Sequence, residues 1–234
     1  MSLNCFILKR VPRTSCRATI ACIGGLALLL LPIVAGCASR APCGVAVDGQ
    51  MLCVVHVVSE QHQLAGFPVS PNEYVTAARE LQPLLVGVVE GYPMVAKNPA
   101  RAVSQPSIPW VVLIGRGFTA EPNRITPDFA VAVGDTVLLA GFTRPDSDVS
   151  PVEYLRTPAS VVVGRILGSH AAGCYDVLVP AGEYSGFIGG PVASRAADGT
   201  FRVWGIIVGQ RPDVPVLPPV GVHLEVARLL PDRP

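Results

Sequence analysis

The stretch GEYSGFIGGPVAS, residues 182–194, has the composition of a loop that presents a reactive side chain. Glycines flank its centre, and a proline and a short strand-forming segment follow. Glycines let the backbone turn sharply, as a loop that exposes a nucleophile requires. The residue at the presented position is Ile188, whose side chain has no lone pair and no exchangeable proton. The loop is therefore predicted to have the backbone shape that nucleophilic catalysis needs, but its central side chain cannot act as a nucleophile.

Other residues that could do chemistry are scattered along the chain. The histidines are His56, His62, His170 and His223, and none lies in a recognisable motif. A lone histidine among valines is more often a packed or surface residue than a catalytic one. The cysteines have no CxxC spacing, so the sequence predicts no metal site, and no cofactor is expected.

The first 36 residues have the pattern of a secretory signal peptide, with a basic start, an apolar middle and a small-residue end. Its last residues, VAGC, resemble the lipobox of bacterial lipoproteins, which implies acylation of Cys37 and a lipid anchor in a membrane. The alternative is an uncleaved anchor, because about 19 apolar residues can just span a bilayer. Either alternative places the remaining chain outside the cytoplasm, in the cell envelope. The residues after the cysteine, Ala38 and Ser39, include no aspartate, which weakly favours an outer membrane.

The charge balance argues against nucleic acid as a partner. The chain has 18 Lys and Arg against 17 Asp and Glu, and four of the basic residues lie in the signal peptide. The remainder is therefore close to −3 and contains no run of like charge. Its length of about 198 residues suffices for one large or two small cores, burying roughly 70% of the unfolded surface. Residues 37–49 are predicted to form a tether and first turn, and residues 50–234 the folded domain.

Three cysteines, Cys43, Cys53 and Cys174, follow the predicted lipidation site in an oxidising compartment. The segment CGVAVDGQMLC is typical of a β-hairpin. A two-residue Asp48–Gly49 turn would place Cys43 and Cys53 one position out of register. A three-residue turn starting at Val47 would place them opposite each other and favour a disulfide.

The rest of the sequence predicts an all-β protein. Short valine-rich runs of 5 to 10 residues, such as WVVLIG and DTVLLAGF, alternate with glycine and proline. Many short strands favour a sandwich or barrel over a βαβ fold. Only HLEVARLL near the end has a helical period and predicts a short C-terminal helix. Residues 97–109 and 143–151 are predicted surface loops, and the second marks the boundary between two halves.

Two motifs together resemble trypsin-like serine proteases. Residues 66–83, GFPVSPNEYVTAARELQP, resemble the strand–turn–strand that ends in T-A-A-H in that family. Residues 185–192, SGFIGGPV, resemble its G-D-S-G-G-P loop, and VWGIIVG resembles the strand that follows. The resemblance covers roughly residues 50–230 and implies two six-stranded antiparallel β-barrels.

The sequence departs from the family at the catalytic positions. Arg79 stands where the family has its histidine base, and Ile188 stands where it has its serine nucleophile. The family's aspartate falls on Pro109 in the favoured alignment, or on Asp128 in an alternative one. Guanidinium stays protonated and offers no acceptor, so it cannot serve as a general base. The resemblance therefore implies a pseudoprotease with no catalytic triad.

Three functions are compatible with this pattern. The paired backbone amides of residues 186 and 188 would bind an acceptor group, and the strand at 203–208 would pair with an extended peptide or protein segment. A second function is purely structural, in the envelope. The third is hydrolysis from a relocated centre that uses Ser185 or another nucleophile. The first function predicts a binding cleft formed by Gly186, Phe187, Ile188, Gly189 and Trp204.

Overall fold

The computed structural model describes residues 43–59, 62–81, 86–98, 109–143, 150–171, 173–211 and 221–229. The predicted signal peptide, Cys37 and most of the two predicted surface loops lie outside these residues. In the described part, fourteen strands are joined by one helical turn, α1 (Pro151–Tyr154), and two 3₁₀ turns, Arg79–Leu81 and Ser185–Phe187. No helix in these ranges is long and apolar enough to cross a membrane. The all-β prediction is confirmed.

The first barrel is a closed antiparallel sheet of six strands in the order β3-β4-β5-β8-β7-β6. Its strands are β3 (Val55–Val58), β4 (Gln63–Ser70), β5 (Glu73–Ala77), β6 (Val86–Val89), β7 (Tyr92–Ala96) and β8 (Trp110–Gly115). Its interior is lined by buried aliphatic residues and by Tyr74, whose hydroxyl donates to the Phe118 carbonyl oxygen at 3.1 Å. Burial raises the pKa of Tyr74 to about 12.

The second barrel is also a closed antiparallel sheet of six strands, in the order β10-β11-β14-β13-β12-β9. Its strands are β9 (Thr136–Phe142), β10 (Ala159–Ala171), β11 (Cys174–Val179), β12 (Pro191–Arg195), β13 (Phe201–Gln210) and β14 (Val222–Arg228). Alternate residues point into a core that includes Val177, Leu224 and Val226. The two-barrel prediction is confirmed.

The predicted C-terminal helix is wrong, because the segment HLEVARLL provides strand β14 (Val222–Arg228). This strand pairs with β11 on one side and with β13 on the other, closing the barrel. Its Leu224 and Val226 are fully buried. A window of eight residues fits a period of 2 as well as a period of 3.6, and the need of the barrel for a sixth strand decides between them.

The boundary between the barrels lies earlier than the predicted 143–151 segment, because residues 136–142 form the first strand of the second barrel. The connection is therefore the segment 116–135. Part of it runs beside β13: Thr126 N–H donates to the Val203 carbonyl oxygen at 2.8 Å, and Val203 N–H donates to that of Arg124 at 2.9 Å.

The N-terminal hairpin contains β1 (Val45–Val47) and β2 (Gln50–Leu52), joined by the two-residue turn Asp48–Gly49. Both turn residues have positive φ, as a type I′ turn requires. The Cys43–Cys53 disulfide forms nevertheless, with 5.4 Å between the Cα atoms. The shift in register is absorbed at Gly44, whose φ of 107° takes the chain off the strand.

A shared apolar cluster joins the two barrels. It contains Phe67 and Val75 of the first barrel and Phe142 and Ile206 of the second, all buried. The hydroxyl of Tyr154, in α1, crosses from the connection after β9 and donates to a β4 carbonyl oxygen at 2.6 Å. The barrels therefore meet over a packed surface, and the glycine-rich loop lies at its edge.

Candidate functional site

The junction loop, residues 185–190, connects the second barrel to β4 and β5 of the first. Gly189 has a φ of 88°, and a Cβ placed there would lie 2.1 Å from the Ala65 carbonyl oxygen and 2.6 Å from Thr76 Oγ1. A Cβ at Gly190 would lie 2.0 Å from the Ala140 carbonyl oxygen. The glycines are required because the loop passes against the backbone of both barrels.

Hydrogen bonds of the main chain and of Thr76 connect the three predicted triad positions to this junction. Ala65 N–H donates to the Ile188 carbonyl oxygen at 2.8 Å, and Thr76 Oγ1 donates to the Ala65 carbonyl oxygen at 2.7 Å. Ala78 N–H donates to the Pro109 carbonyl oxygen at 2.9 Å. Ala78 directly precedes Arg79, and Thr76 lies three residues before it, so these hydrogen bonds link the backbone at all three positions to the first barrel.

Arg79 begins the 3₁₀ turn that follows β5. Its side chain is exposed, and it makes no hydrogen bond or ion pair with a residue in the described part of the chain. A guanidinium in this place can attract a carboxylate from a bound molecule. It cannot accept a proton near neutral pH.

The geometry favours Pro109 over Asp128 as the residue at the third position. Pro109 precedes β8, which pairs with β5, and its carbonyl oxygen accepts the Ala78 amide. Asp128 lies in a turn against the second barrel, where Arg228 Nη1 donates to the carbonyl oxygens on either side of it, at 2.8 and 2.9 Å. Among the described residues, the third position therefore holds no acid that could orient a histidine.

Ile188 is half-buried and packs against the core of the first barrel. Its amide donates to the Ser185 carbonyl oxygen at 3.3 Å, which closes the 3₁₀ turn. In this conformation the amide is engaged within the loop and is not offered to an external acceptor. The predicted acceptor site therefore lacks the Ile188 amide in this conformation.

The structure also corrects the predicted cleft. The side chain of Phe187 is 2% exposed, and that of Trp204 is fully buried in the second barrel, where its indole N–H donates to Ser194 Oγ at 3.0 Å. Gly186 and Gly189 are buried as well. These four residues are therefore packed inside the protein beneath the junction and do not line an open cleft.

An open strand edge is found beside the loop instead. Up to Ile207, β13 is bonded on the loop side: Gly189 N–H donates to the Ile207 carbonyl oxygen at 2.7 Å, and Ile207 N–H donates to that of Gly190 at 3.0 Å. Beyond this point, residues 208–210 pair with β14 but have no strand partner on the loop side within the described ranges. A Cβ at Gly209 would meet nothing within 4 Å.

A relocated catalytic centre finds no support at Ser185. Its amide donates to Glu183 Oε1, and its hydroxyl has no hydrogen bond to a histidine ring in the described residues. His56 is buried on β3, where its ring stacks on Phe142 of the second barrel, with Nδ1 3.0 Å from Glu90 Oε1 and Nε2 3.0 Å from the Thr157 carbonyl oxygen. Both of its ring nitrogens are therefore engaged in holding the structure.

One group of residues that the sequence analysis treated as scattered is brought together by the fold. The ligand atoms of His170, Cys174 and Glu225 all lie within 4.8 Å of one another on the second barrel. Burial, and to a smaller extent the charge of Glu225, raises the pKa of the Cys174 thiol. A nucleophilic cysteine needs the opposite shift, so this group is not an activated catalytic centre. Recognising strand β14 in the sequence would have placed Glu225 opposite β11.

Two concave regions lie outside the predicted cleft. A groove of about 580 Å³ is lined by β2, the disulfide, residues 121–124 and the start of β13. A second, of about 360 Å³, lies around His56 and Phe142. Cys43 and Cys53 line the first groove, and Cys43 also lines the second, but neither region is lined by the predicted triad positions or by the residues of the predicted cleft.

Comparison with known proteins identifies the fold. No protein-family model matches the sequence, and no curated protein gives a significant match. Among solved structures, the inactive form of the Rv3671c protease aligns with a TM-score of 0.50 and 16% identity, over 75% of this chain and 82% of that chain. A serine-to-alanine mutant of Rv3671c from M. tuberculosis H37Rv aligns with a TM-score of 0.51 and 17% identity, over 75% and 80%. The chain has the two-barrel fold of trypsin-like serine proteases.

Proposed function

We propose that the chain is a membrane-tethered lipoprotein whose trypsin-fold domain binds an extended segment of a peptide or protein partner without cleaving it. The observation that carries this proposal is the convergence of Arg79, Pro109 and Ile188 at the barrel junction. The main-chain hydrogen bonds of the junction are made, and none of the three side chains can act as base, orienting acid or nucleophile.

Without a catalytic triad, the rate of peptide hydrolysis is expected to be very low. Removing a complete triad lowers turnover on the order of 10⁶-fold, even when binding contacts remain. The junction loop loses a further contribution, because the Ile188 amide donates to the Ser185 carbonyl oxygen instead of pointing to a substrate. Cleavage at this rate is too slow to be a biological activity.

Binding uses the open edge of β13. The backbone of residues 208–210 can add an extended segment as a further strand, with main-chain hydrogen bonds for affinity. Arg79, exposed after β5 and without a partner in the described residues, provides a cation for a carboxylate of the segment. Half-buried Ile188 offers an apolar contact at the junction loop. The preferred partner is therefore an extended segment with an acidic residue.

The membrane tether rests on the sequence, since residues 1–42 lie outside the described part of the chain. The VAGC motif supports processing before Cys37 and attachment of lipid at that residue. Only five residues then separate the anchor from Cys43, the first residue of the disulfide. The barrels would be held close to the surface of the membrane, on the extracytoplasmic side.

Peptide display with a blocking variant tests the binding proposal. The protein, purified from membranes in detergent, is used to select from a phage-displayed library of random decapeptides. Gly209→Tyr adds a bulky side chain at the open edge, where a Cβ atom would meet none of the described atoms within 4 Å. Gly168→Tyr is the matched control, since Gly168 is also a strand glycine with nothing within 4 Å of its Cβ position.

The proposal predicts enriched peptides that carry an acidic residue, bind the wild type and Gly168→Tyr equally, and lose at least tenfold in affinity with Gly209→Tyr. Arg79→Gln is expected to weaken the same peptides less, because an exposed charge contributes little. Selected peptides that bind both tyrosine variants equally would place binding elsewhere and contradict the proposal.

A purely structural role in the envelope is the second candidate. It is favoured by the packing of Ile188 against the first barrel and by the burial of Phe187 and Trp204, which give the junction loop a structural reason to exist. In that case the peptide selection enriches nothing, while the Gly189→Ala variant described below still destabilises the domain.

A further inference from the structure

An outer-face cluster, consisting of His170, Cys174, Asp176, Glu225 and Arg211, lies on the second barrel. Cys174 and Asp176 are two residues apart on β11, and Glu225 of β14 is the direct cross-strand partner of Asp176. Their neighbours in sequence, Val177, Leu224 and Val226, point into the barrel core. The cluster therefore faces outward from the barrel, and His170 reaches it from the end of β10.

The atoms of three of these side chains are spaced as ligands of one ion. His170 Nε2 is 3.1 Å from Glu225 Oε1, and the Cys174 sulfur completes a set within 4.8 Å. Two ligands at about 2.0 Å from a tetrahedral ion lie roughly 3.3 Å apart, so the nitrogen and oxygen already have the required separation. Imidazole, thiolate and carboxylate together are the donor set that Zn²⁺ prefers.

The surroundings of His170 supply the support that a metal-bound histidine usually has. Its second ring nitrogen, Nδ1, is 3.6 Å from Asp176 Oδ2. Asp176 in turn accepts from Arg211 Nη1, with distances of 3.2 and 3.4 Å to its two oxygens. A carboxylate behind the ring fixes its orientation and raises the basicity of the coordinating nitrogen.

The charges of the cluster also favour a cation. Asp176 and Glu225 are like charges placed directly opposite each other on neighbouring strands, an arrangement that destabilises a sheet unless it is offset. Arg211 neutralises Asp176 on one side. A cation bound between Glu225 and Cys174 would neutralise the negative charge of Glu225.

We propose that His170 Nε2, Cys174 Sγ and Glu225 bind a Zn²⁺ ion, with Asp176 as the positioning carboxylate behind His170. Binding releases the thiol proton of Cys174 to water and leaves the thiolate on the metal. The side chains of His170 and Glu225 are 32% and 34% exposed, so the fourth position faces solvent or a partner. The ion ties the β10–β11 hairpin to β14.

A simpler arrangement is an ion-pair network in which His170 bridges the two carboxylates. That network makes no use of the Cys174 thiol, which gives the experiment its discriminating variant. Catalysis by the thiol is a poorer assignment, because both ring nitrogens of His170 face carboxylates and neither is placed to accept its proton.

The test is a Co²⁺ titration of the full processed protein in detergent, after chelation and removal of the chelator. Co²⁺ is a spectroscopic substitute for Zn²⁺, and a thiolate ligand gives a near-ultraviolet charge-transfer band. The proposal predicts one Co²⁺ per chain, with this band, and its displacement by Zn²⁺. Cys174→Ser must abolish the band, while His62→Gln, an exposed histidine of the first barrel, must leave it unchanged.

A stability readout covers the remaining outcomes. Zn²⁺ should raise the melting temperature of the wild type and of His62→Gln, but not of Cys174→Ser or His170→Ala. Asp176→Asn should weaken Zn²⁺ binding about 10- to 100-fold while keeping the charge-transfer band. Melting of each variant without metal shows that it is folded. Absence of the band in the wild type, or a band that survives Cys174→Ser, overturns the proposal.

Discussion

The junction loop and the outer-face cluster belong to the same barrel. The loop has the backbone of a known motif but no reactive side chain at its centre, whereas the cluster has reactive side chains but no motif. The loop makes the main-chain hydrogen bonds of its position, and its central side chain, Ile188, is chemically inert. The cluster lies in no recognised motif, yet it gathers an imidazole, a thiol and a carboxylate. A motif in the sequence therefore indicates backbone geometry, and reactivity must be read from the side chains separately.

The reason the loop keeps its form is visible in its contacts. The Ile188 carbonyl oxygen accepts the Ala65 amide of the first barrel, and Gly189 and Gly190 bond to Ile207 of the second. The loop is thus bonded to both sheets. These bonds give its sequence a structural reason that does not depend on catalysis.

The substitution expected to cause the largest loss of stability in the junction loop is Gly189→Ala. The new Cβ would overlap the Ala65 carbonyl oxygen and require an alanine at a φ of 88°, so we expect a loss of roughly 3–5 kcal/mol in unfolding free energy. Chemical denaturation measures it. Gly199→Ala is the control: its φ is 80°, nothing lies within 4 Å of the new atom, and about 1–2 kcal/mol is expected. Equal effects would show that the loop is not held between the barrels.

A smaller effect on stability is expected when only the side chain at the centre of the junction loop is changed. Ile188→Ser removes a half-buried apolar contact with the first barrel, and about 1–2 kcal/mol of stability should be lost. Val133→Ser, at a side chain 68% exposed, should change stability by less than about 0.5 kcal/mol. If Ile188→Ser is neutral in the same denaturation experiment, the isoleucine has no structural role.

Much of the fold could be predicted from the sequence, because strand-forming runs bounded by glycine and proline report local structure directly. The paired motifs TAAR and SGFIGGPV supplied the long-range arrangement. The last strand was missed because Leu224 and Val226 fit a helical period within so short a window, and only the pairing of β14 with two other strands decides it. The boundary between the barrels was predicted too far along the sequence. The residues of a single strand do not show to which of two sheets the strand belongs.

The site was predicted less completely than the fold. The degenerate positions followed from motif spacing, and the hydrogen bonds of Ala78 support Pro109 as the third. The burial of Trp204 depends on packing that a single strand sequence does not specify. The outer-face cluster depends on residues 55 positions apart, His170 and Glu225, which only a three-dimensional arrangement brings together.

The disulfide shows how a local turn and a tertiary link can differ in what they require. The two-residue turn that forms was the arrangement expected to misplace Cys43 and Cys53. The bridge is still made because Gly44, at positive φ, bends the chain toward Cys53. Hairpin register alone was therefore insufficient to predict it.

The central claim, that the junction holds no reactive nucleophile, is tested most directly with a fluorophosphonate probe. The processed, folded protein is incubated with the probe beside an active trypsin-like protease, and labelled residues are identified by mass spectrometry. The account predicts that the active protease is labelled and that no serine of this chain is. A label on Ser185, or on any other serine, would contradict the account and show that a base lies beside that residue.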